Sequence, residues 1–377
     1  MMSGEEPGYG MREVFGHGMG DAAGAVSGVD DFGGGSGAAD DLAGDAVLRE
    51  LWAGLRSDLL LEAAVLPGGG PDGGGRGAGG NGLGGDDLFV RESERNGLEI
   101  TEIRVETEAQ ERRLGRKRGR YVTIYSEGLK ADDGGIHREA VDEVAGWLRK
   151  LLPDGVKTVF VAGLGNSEAS PDALGPDTVS HVAVNRHLQG HQGEEEDTSG
   201  IQICAMSPGV MAQTGLETAG ILAGVTGEFK PDALVVVDAL AARSVTRLGT
   251  TIQLTDTGIS PGSGIGNYRQ EISREVIGIP VVAVGIPMVV EAAAIVYETV
   301  EAVRSALRQE HMDGEAGFLK QLSSREQHEL FRELLEKKAR PLYVTVKDVD
   351  ELEKRLSFTL SEAINQAFSG MNRTPRA

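Results

Sequence analysis

Apolar and polar residues alternate in Leu98-Glu-Ile-Thr-Glu-Ile-Arg-Val, which predicts a half-buried strand, and Arg120-Tyr-Val-Thr-Ile-Tyr predicts a second. The charged stretch from Glu111 to Arg120, with its basic cluster Arg116-Lys-Arg, reads as a solvated turn between them. Apolar positions at Ala140, Val141, Val144, Trp147, Leu148 and Leu151 have helical spacing, so a helix is expected from Arg138 to Leu152. From there the pattern becomes strand, loop, helix, repeated. Strands are expected at Thr158–Ala162, Ile201–Ala205, Leu234–Val237, Thr251–Leu254 and Pro280–Val284. Helices are expected from about Pro171 to Leu188, Gln213 to Gly224, Val290 to Leu307, Ser324 to Lys338 and Asp348 to Phe368. Such alternation predicts an α/β fold: a mainly parallel sheet with helices on both faces.

The first ninety residues depart from this pattern. Met1 to about Asp45 is rich in Gly, Asp, Ala and Ser, and cannot bury enough apolar surface to offset its ordering entropy. An apolar island from Ala46 to Leu66 follows, and a second Gly/Asp tract, Pro67 to Asp87, reads as a flexible linker. Composition thus sets an ordered domain over 88–377 apart from the tracts that precede it.

The net charge of −21 argues against non-specific nucleic-acid binding, which needs a basic surface. A single cysteine, Cys204, makes no internal disulfide, so a reducing cytoplasm is the expected compartment. The N-terminus lacks the basic start and apolar stretch of a signal peptide, and no apolar run is long enough to span a bilayer. A soluble, intracellular protein is expected.

In open α/β sheets, sites gather beyond the carboxyl ends of the strands. Two aspartates are expected there. Asp238 directly follows the run Leu234-Val-Val-Val, and Asp172 falls in Ser170-Pro-Asp-Ala-Leu-Gly-Pro, with Ser170 as N-cap and Pro171 as the first helical residue. In isolation, Asp172 is a first-turn acid complementing a helix dipole, and Asp238 a strand-end residue capping a loop amide. Facing one crevice, the two carboxylates would push their pKa values apart, so that one could hold a proton while the other acts as base.

Gly163-Leu-Gly-Asn-Ser-Glu lacks the third glycine of a dinucleotide fingerprint and reads as a tight turn. The loop Gly258 to Asn267, with Gly262, Ser263 and Gly264, presents amides to an oxyanion or a peptide backbone, or else is only a mobile loop. Ser263 and Ser207 lack the surroundings of a nucleophile, and Cys204 sits mid-strand as an inert thiol would. His187 and His191 have a metal-compatible spacing, but Gly190 and the acidic run from Glu194 suggest that the helix has ended by then.

Several motifs occur in one ordered series: Gly163-Leu-Gly-Asn, Pro171-Asp-Ala-Leu-Gly-Pro, Pro208-Gly-Val-Met-Ala-Gln-Thr-Gly-Leu-Glu-Thr, Asp238-Ala-Leu-Ala-Ala-Arg-Ser, Thr250-Thr-Ile-Gln-Leu-Thr-Asp-Thr-Gly-Ile and Pro261-Gly-Ser-Gly-Ile-Gly-Asn. From roughly Leu98 to Val300 the chain closely resembles the germination protease family of spore-forming bacteria, endopeptidases that act on small acid-soluble spore proteins. The resemblance implies a fold similar to the hydrogenase maturation endopeptidases and an atypical aspartic protease with Asp172 and Asp238 as its catalytic pair. It needs no metal or cofactor. It also implies an inactive tetrameric zymogen that cuts itself near the N-terminus. Arg56-Ser-Asp-Leu-Leu-Leu-Glu62 resembles the family's cleavage segment, which puts the scissile bond between Asp58 and Leu59 and makes 1–58 a pro-segment. A docked helix there would keep the enzyme silent. Two rivals remain: a metal-dependent maturation peptidase using the same carboxylates with a histidine such as His187, and a non-enzymatic nucleotide- or partner-binding module built on the Gly-rich loops.

Overall fold

In a computed structural model, the described residues are 57–64, 88–188, 201–265, 269–292, 294–296, 298–299 and 342–368. All fall within one compact unit, Leu42–Ala377. The expected helix over Ser324–Lys338 and the tracts 1–56 and 67–87 lie outside the described residues.

The nine strands among these residues form one sheet. They are β1 (Phe89–Arg95), β2 (Leu98–Val105), β3 (Gly119–Tyr125), β4 (Thr158–Gly163), β5 (Gln202–Met206), β6 (Ala233–Ala242), β7 (Thr251–Thr255), β8 (Val281–Glu291) and β9 (Tyr343–Val344). Their order is β1-β2-β3-β7-β8-β6-β4-β5, with β9 against β8. The fold is α/β as expected, and parallel pairing holds across β5, β4, β6 and β8. The other half, β1-β2-β3-β7-β8, is antiparallel. One of these pairings follows from a short connection: β1 and β2 are joined by Asn96-Gly97, both at positive φ, a turn that forces a hairpin.

Side chains alternate across the central strands, as a sheet covered on both faces requires. Val159, Val161, Val235 and Val237 face one layer of helices: α3 (Gly134–Leu151), α4 (Leu174–Ser180) and α8 (Val349–Phe368). Phe160, Ala162, Leu234 and Val236 face the opposite layer, containing α6 (Thr218–Phe229) and α7 (Arg274–Ile277). Helix α3 starts where Asp133 accepts from the amides of Gly135 (2.9 Å) and Ile136 (3.2 Å). Helix α8 presents Leu352, Leu356, Leu360, Ala363 and Ile364 to the core, spaced as one helical face.

Several elements differ from the sequence expectation. The stretch read as a turn contains helix α2 (Glu108–Leu114), started by a reciprocal capping box between Thr107 and Gln110 and ended by Gly115 at φ 61°. The helix expected from Pro171 to Leu188 breaks into a 3-10 turn at Ser170–Asp172, then α4, then a second 3-10 turn at Arg186–Leu188. The helix expected from Gln213 splits at Gly215 (φ 71°) into α5 (Met211–Thr214) and α6. Strand β8 runs on to Glu291, so the helix expected from Val290 begins only at residue 292, and its residues from 300 on lie outside the described residues. Strand β1 carried no sequence signal strong enough to predict it. The short helix α1 (Leu60–Ala64) lies within the predicted apolar island.

Leu356 is fully buried on the α8 face. Leu356→Ala should lower unfolding free energy by about 2–5 kcal/mol, read as a fall in the urea midpoint at unchanged m-value.

Candidate active site

Asp238 does not follow its strand. It lies inside β6, because the apolar run continues through Ala239-Leu-Ala-Ala and keeps the ladder going to Ala242. Asp238 pairs with Gly285 of β8, and Gly285 pairs with Gln253 of β7. The three therefore form one row across the sheet, on the same face. A Cβ on Gly285 would fall 2.7 Å from the Asp238 carbonyl oxygen and 2.7 Å from Leu240 Cγ, so only glycine leaves room there.

Asp172 approaches from the loop after β4. Gly165 adopts φ +113°, and a Cβ at that position would fall 1.9 Å from the Asp172 carbonyl oxygen. The close turn lets the Asn166 amide donate to Asp172 Oδ2 at 2.8 Å. Ser170 is not the cap: the residue before the 3-10 turn is Ala169, which makes no side-chain cap. The Asp172 amide donates to Ala169 O at 2.7 Å, fixing the turn that aims the carboxylate at the crevice.

A third carboxylate, Asp58, joins them. Asp58, Asp172 and Asp238 line one cavity of about 430 Å³, together with Leu164, Gly262 and Arg269. Burial pushes the Asp238 carboxyl well above the ordinary carboxylate range, and the charges of Asp172 and then Asp58 push it further, against one favourable bond from the Ala239 amide. Burial also raises Asp172, opposed by the Asn166 amide. Asp238 is only 6% exposed, so its carboxyl is shielded from bulk water.

The segment Ser57–Glu62 is bound along this cleft. Strand β4 ends opposite Val237, which leaves Ala241 of β6 beyond its edge. Asp58 takes that edge: its amide donates to Ala241 O (2.9 Å), and the Ala241 amide donates to Asp58 Oδ2 (2.8 Å). Ser263 Oγ donates to Asp58 Oδ1 at 2.7 Å. Leu59 is fully buried with Leu240, Ala242 and Val290, and Leu60 is fully buried with Ile103, Val105 and Tyr121. Glu62 accepts from the amides of Arg243 (2.8 Å) and Ser244 (3.1 Å), and from Ser57 Oγ. The Arg243 guanidinium donates to the Glu62 carbonyl at 3.0 Å, and Arg116 donates to the Ser57 carbonyl.

Within the loop of Gly262, Ser263 and Gly264, the Ser263 amide is bonded internally, to Ser260 O (3.1 Å), and its hydroxyl meets the Asp58 side chain. Gly264 packs against the same carboxylate, where a Cβ would fall 2.4 Å from Asp58 Oδ2. His187 sits on the second 3-10 turn, and His191 lies outside the described residues. Among the described residues, no three His, Cys, Asp or Glu side chains group as metal ligands. Burial raises the Cys204 thiol, which disfavours the thiolate. Ser207 Oγ donates to Gly163 O (3.2 Å). Among the described residues, no helix is long and apolar enough to cross a membrane.

Sequence reasoning missed Gln253, Arg116 and Arg243, and placed Glu62 only as the acid that ends the cleavage segment. Arg116 lay in the stretch read as solvated. The motifs Thr-Ile-Gln-Leu and Ala-Ala-Arg-Ser were visible, but nothing in one chain's sequence shows which of their side chains face a distant segment.

A model of the germination protease family matches residues 83–320. Germination proteases similar to this chain include that of Caldanaerobacter subterraneus subsp. tengcongensis, 37% identical, covering 83% of this chain and 94% of the relative. That of Clostridium acetobutylicum is 37% identical over 72% of this chain and 84% of its own length. That of Priestia megaterium is 42% identical over 57% of this chain and 59% of its own. Among solved structures, a [NiFe] hydrogenase maturation protease from Thermococcus kodakarensis KOD1 is matched at 15% identity and a TM-score of 0.29, over 58% of this chain and 99% of that one. The extent of the family match and the identities shared with whole relatives lead to one conclusion: this chain belongs to the germination protease family, and is a peptide-bond hydrolase.

Proposed function

We propose that the chain is an aspartic endopeptidase of small acid-soluble spore proteins, made as a homotetrameric zymogen that first cuts itself between Asp58 and Leu59. The observation that carries this reading is the position of Asp58: it shares one cavity with Asp172 and Asp238, and its side chain and backbone are both held there. A peptide segment whose backbone is held beside two carboxylates, one of them buried, just ahead of the short helix α1, is the arrangement a substrate would need.

In this mechanism Asp238 holds the proton and Asp172 acts as the base. Each carboxylate accepts one backbone amide, but Asp238 is the more buried and takes the repulsion of both neighbours as well. As a coupled pair they keep one proton between them. Asp172 takes a proton from the attacking water, and Asp238 delivers its own to the leaving amine. Cleavage at Asp58 would separate residues 1–58 from a mature chain that starts at Leu59. Until then the bound segment excludes other substrates, which makes the uncut chain inactive.

Asp172→Asn and Asp238→Asn should each reduce cleavage of a small acid-soluble spore protein by at least about 10²–10⁴-fold, the range supplied by general acid–base groups. Both variants should stay folded by circular dichroism and keep Met1 as N-terminus, while the wild-type chain acquires a terminus at Leu59. Near-full activity in either variant contradicts the two-aspartate mechanism.

The raised carboxyl also predicts a pH-dependent stability. A folded-state pKa above the unfolded value means that ionising Asp238 disfavours the folded chain. The cost is absent below about pH 4, the unfolded value, and grows as pH rises through the raised one. Asp238→Asn should therefore melt at a higher temperature than an Asp172→Asn reference at neutral pH, with the gap closing toward pH 4. A gap that is constant with pH, or widest in acid, contradicts the assignment.

A further inference from the structure

The scissile bond of the proposed self-cleavage has its carbonyl on Asp58, and that carbonyl oxygen already has a partner. Gln253 Nε2 donates to it at 3.0 Å. The same side chain turns its Oε1 to the Leu60 amide at 2.7 Å, so one carboxamide spans the bond between residues 58 and 59. Gln253 is itself 7% exposed. It stands in the row Asp238–Gly285–Gln253, two strand spacings from Asp238, about 10 Å between Cα atoms. Gly285, between them, contributes no side chain, so the segment can lie over the gap with a carboxyl on one side and an amide donor on the other.

From this geometry we infer that Gln253 is a catalytic residue of the peptidase: it polarises the scissile carbonyl and holds the oxyanion of the tetrahedral intermediate. The inference rests on the reading of Asp58–Leu59 as a bond cut by Asp172 and Asp238. Water oxygen adds to the Asp58 carbonyl carbon while Asp172 accepts a water proton. The π pair of the C=O moves onto oxygen, where the Gln253 N–H receives it. The C=O then re-forms, the bond to the Leu59 nitrogen breaks with its electron pair, and that nitrogen takes the proton held by Asp238. The immediate products are a carboxylic acid at Asp58 and a new amine at Leu59. The acid's proton passes to the ionised Asp238 and the proton on Asp172 leaves to solvent, which gives the carboxylate and restores the pair, with Gln253 unchanged. A donor fixed at 3.0 Å in a buried site needs no reorganisation as charge develops, the condition under which such donors are most effective. The backbone amides of Gly262–Gly264, which the sequence offered for this task, are replaced in it by a side chain from β7.

Gln253→Glu separates the two halves of the carboxamide. An ionised glutamate keeps an acceptor for the Leu60 amide and loses the donor to the Asp58 carbonyl. The test measures, at neutral pH in the full chain, the first-order rate at which the Leu59 terminus appears, together with hydrogen exchange at the Leu60 amide. Gln253→Met, of similar length with neither group, serves as a second variant. The expected result for Gln253→Glu is a rate lower by about 10²–10³-fold, the loss typical of one oxyanion donor, with Leu60 still protected. For Gln253→Met, a comparable loss of rate is expected. A Gln253→Glu rate within threefold of wild type overturns the inference. So does a loss of Leu60 protection in Gln253→Glu, since Gln253 would then hold the segment rather than the charge. Asp172→Asn in parallel separates the layers: if it cuts at the wild-type rate, or if the wild-type chain never yields a Leu59 terminus, the underlying reading fails as well. If the wild type cuts and Asp172→Asn does not, an unimpaired Gln253→Glu sinks only the role of Gln253.

Discussion

Three carboxylates in one buried cleft repel one another, and the local structure is arranged around that repulsion. Asp238 has a single backbone donor for its side chain and takes the charge of both neighbours, so its carboxyl is pushed well above the ordinary range. Asp172 is offset by the Asn166 amide. Asp58 is offset by the Ala241 amide and the Ser263 hydroxyl. Like charges brought into one partly desolvated cavity are costly unless neutralised or hydrogen-bonded, and the donors to Asp172 and Asp58 offset part of that cost. The same arrangement that tolerates the bound segment supplies the acid and the base proposed to cut it.

The sheet makes this possible through unequal strand lengths. β6 and β8 run several residues beyond the end of β4, so the parallel half of the sheet ends in a step. Asp172 sits on the loop that leaves the short strand, and Asp238 on the long strand just past the step. Asp58 fills the edge that the step exposes, Leu59 packs against the ends of β6 and β8, and Leu60 packs against β2 and β3. The antiparallel half then brings Gln253 to the far side of the same row. Glu62 ties down the other end of the segment through the amides of Arg243 and Ser244, and burial of Arg243 is offset by its attraction to Glu62.

Much of the fold was legible in the sequence because its strands are short, apolar and separated by helical periodicity. Ala233–Val237 and Val281–Val284 could hardly be anything but buried strands. What was misread followed from local rules overridden by neighbours. The charged stretch from Glu111 to Arg120 looked solvated, yet Thr107 and Gln110 cap a helix that runs into it and carries Arg116 to the bound segment. Asp238 looked like a strand end because a carboxylate inside a sheet is costly, and that cost is accepted at a site where a raised pKa is useful. The two aspartates could be named from motif order alone. Asp58 could be named only as a cleavage point, because its place beside them depends on a contact across 180 residues of chain. Gln253 was hidden for the same reason: a strand glutamine in alternation looks like any half-buried polar residue until the register sets it beside Gly285.

The central claim is that Asp58 shares one electrostatic environment with Asp172 and Asp238, the pair proposed to be catalytic. A ¹³C carboxyl titration of Asp238 in the uncut Asp172→Asn chain, with and without Asp58→Asn, tests it most directly. Removing the Asp58 charge takes away one of the terms that raise Asp238, so its titration midpoint should move to lower pH. A midpoint that does not move, or moves upward, would mean that Asp58 is not in the cleft, and the account would be wrong.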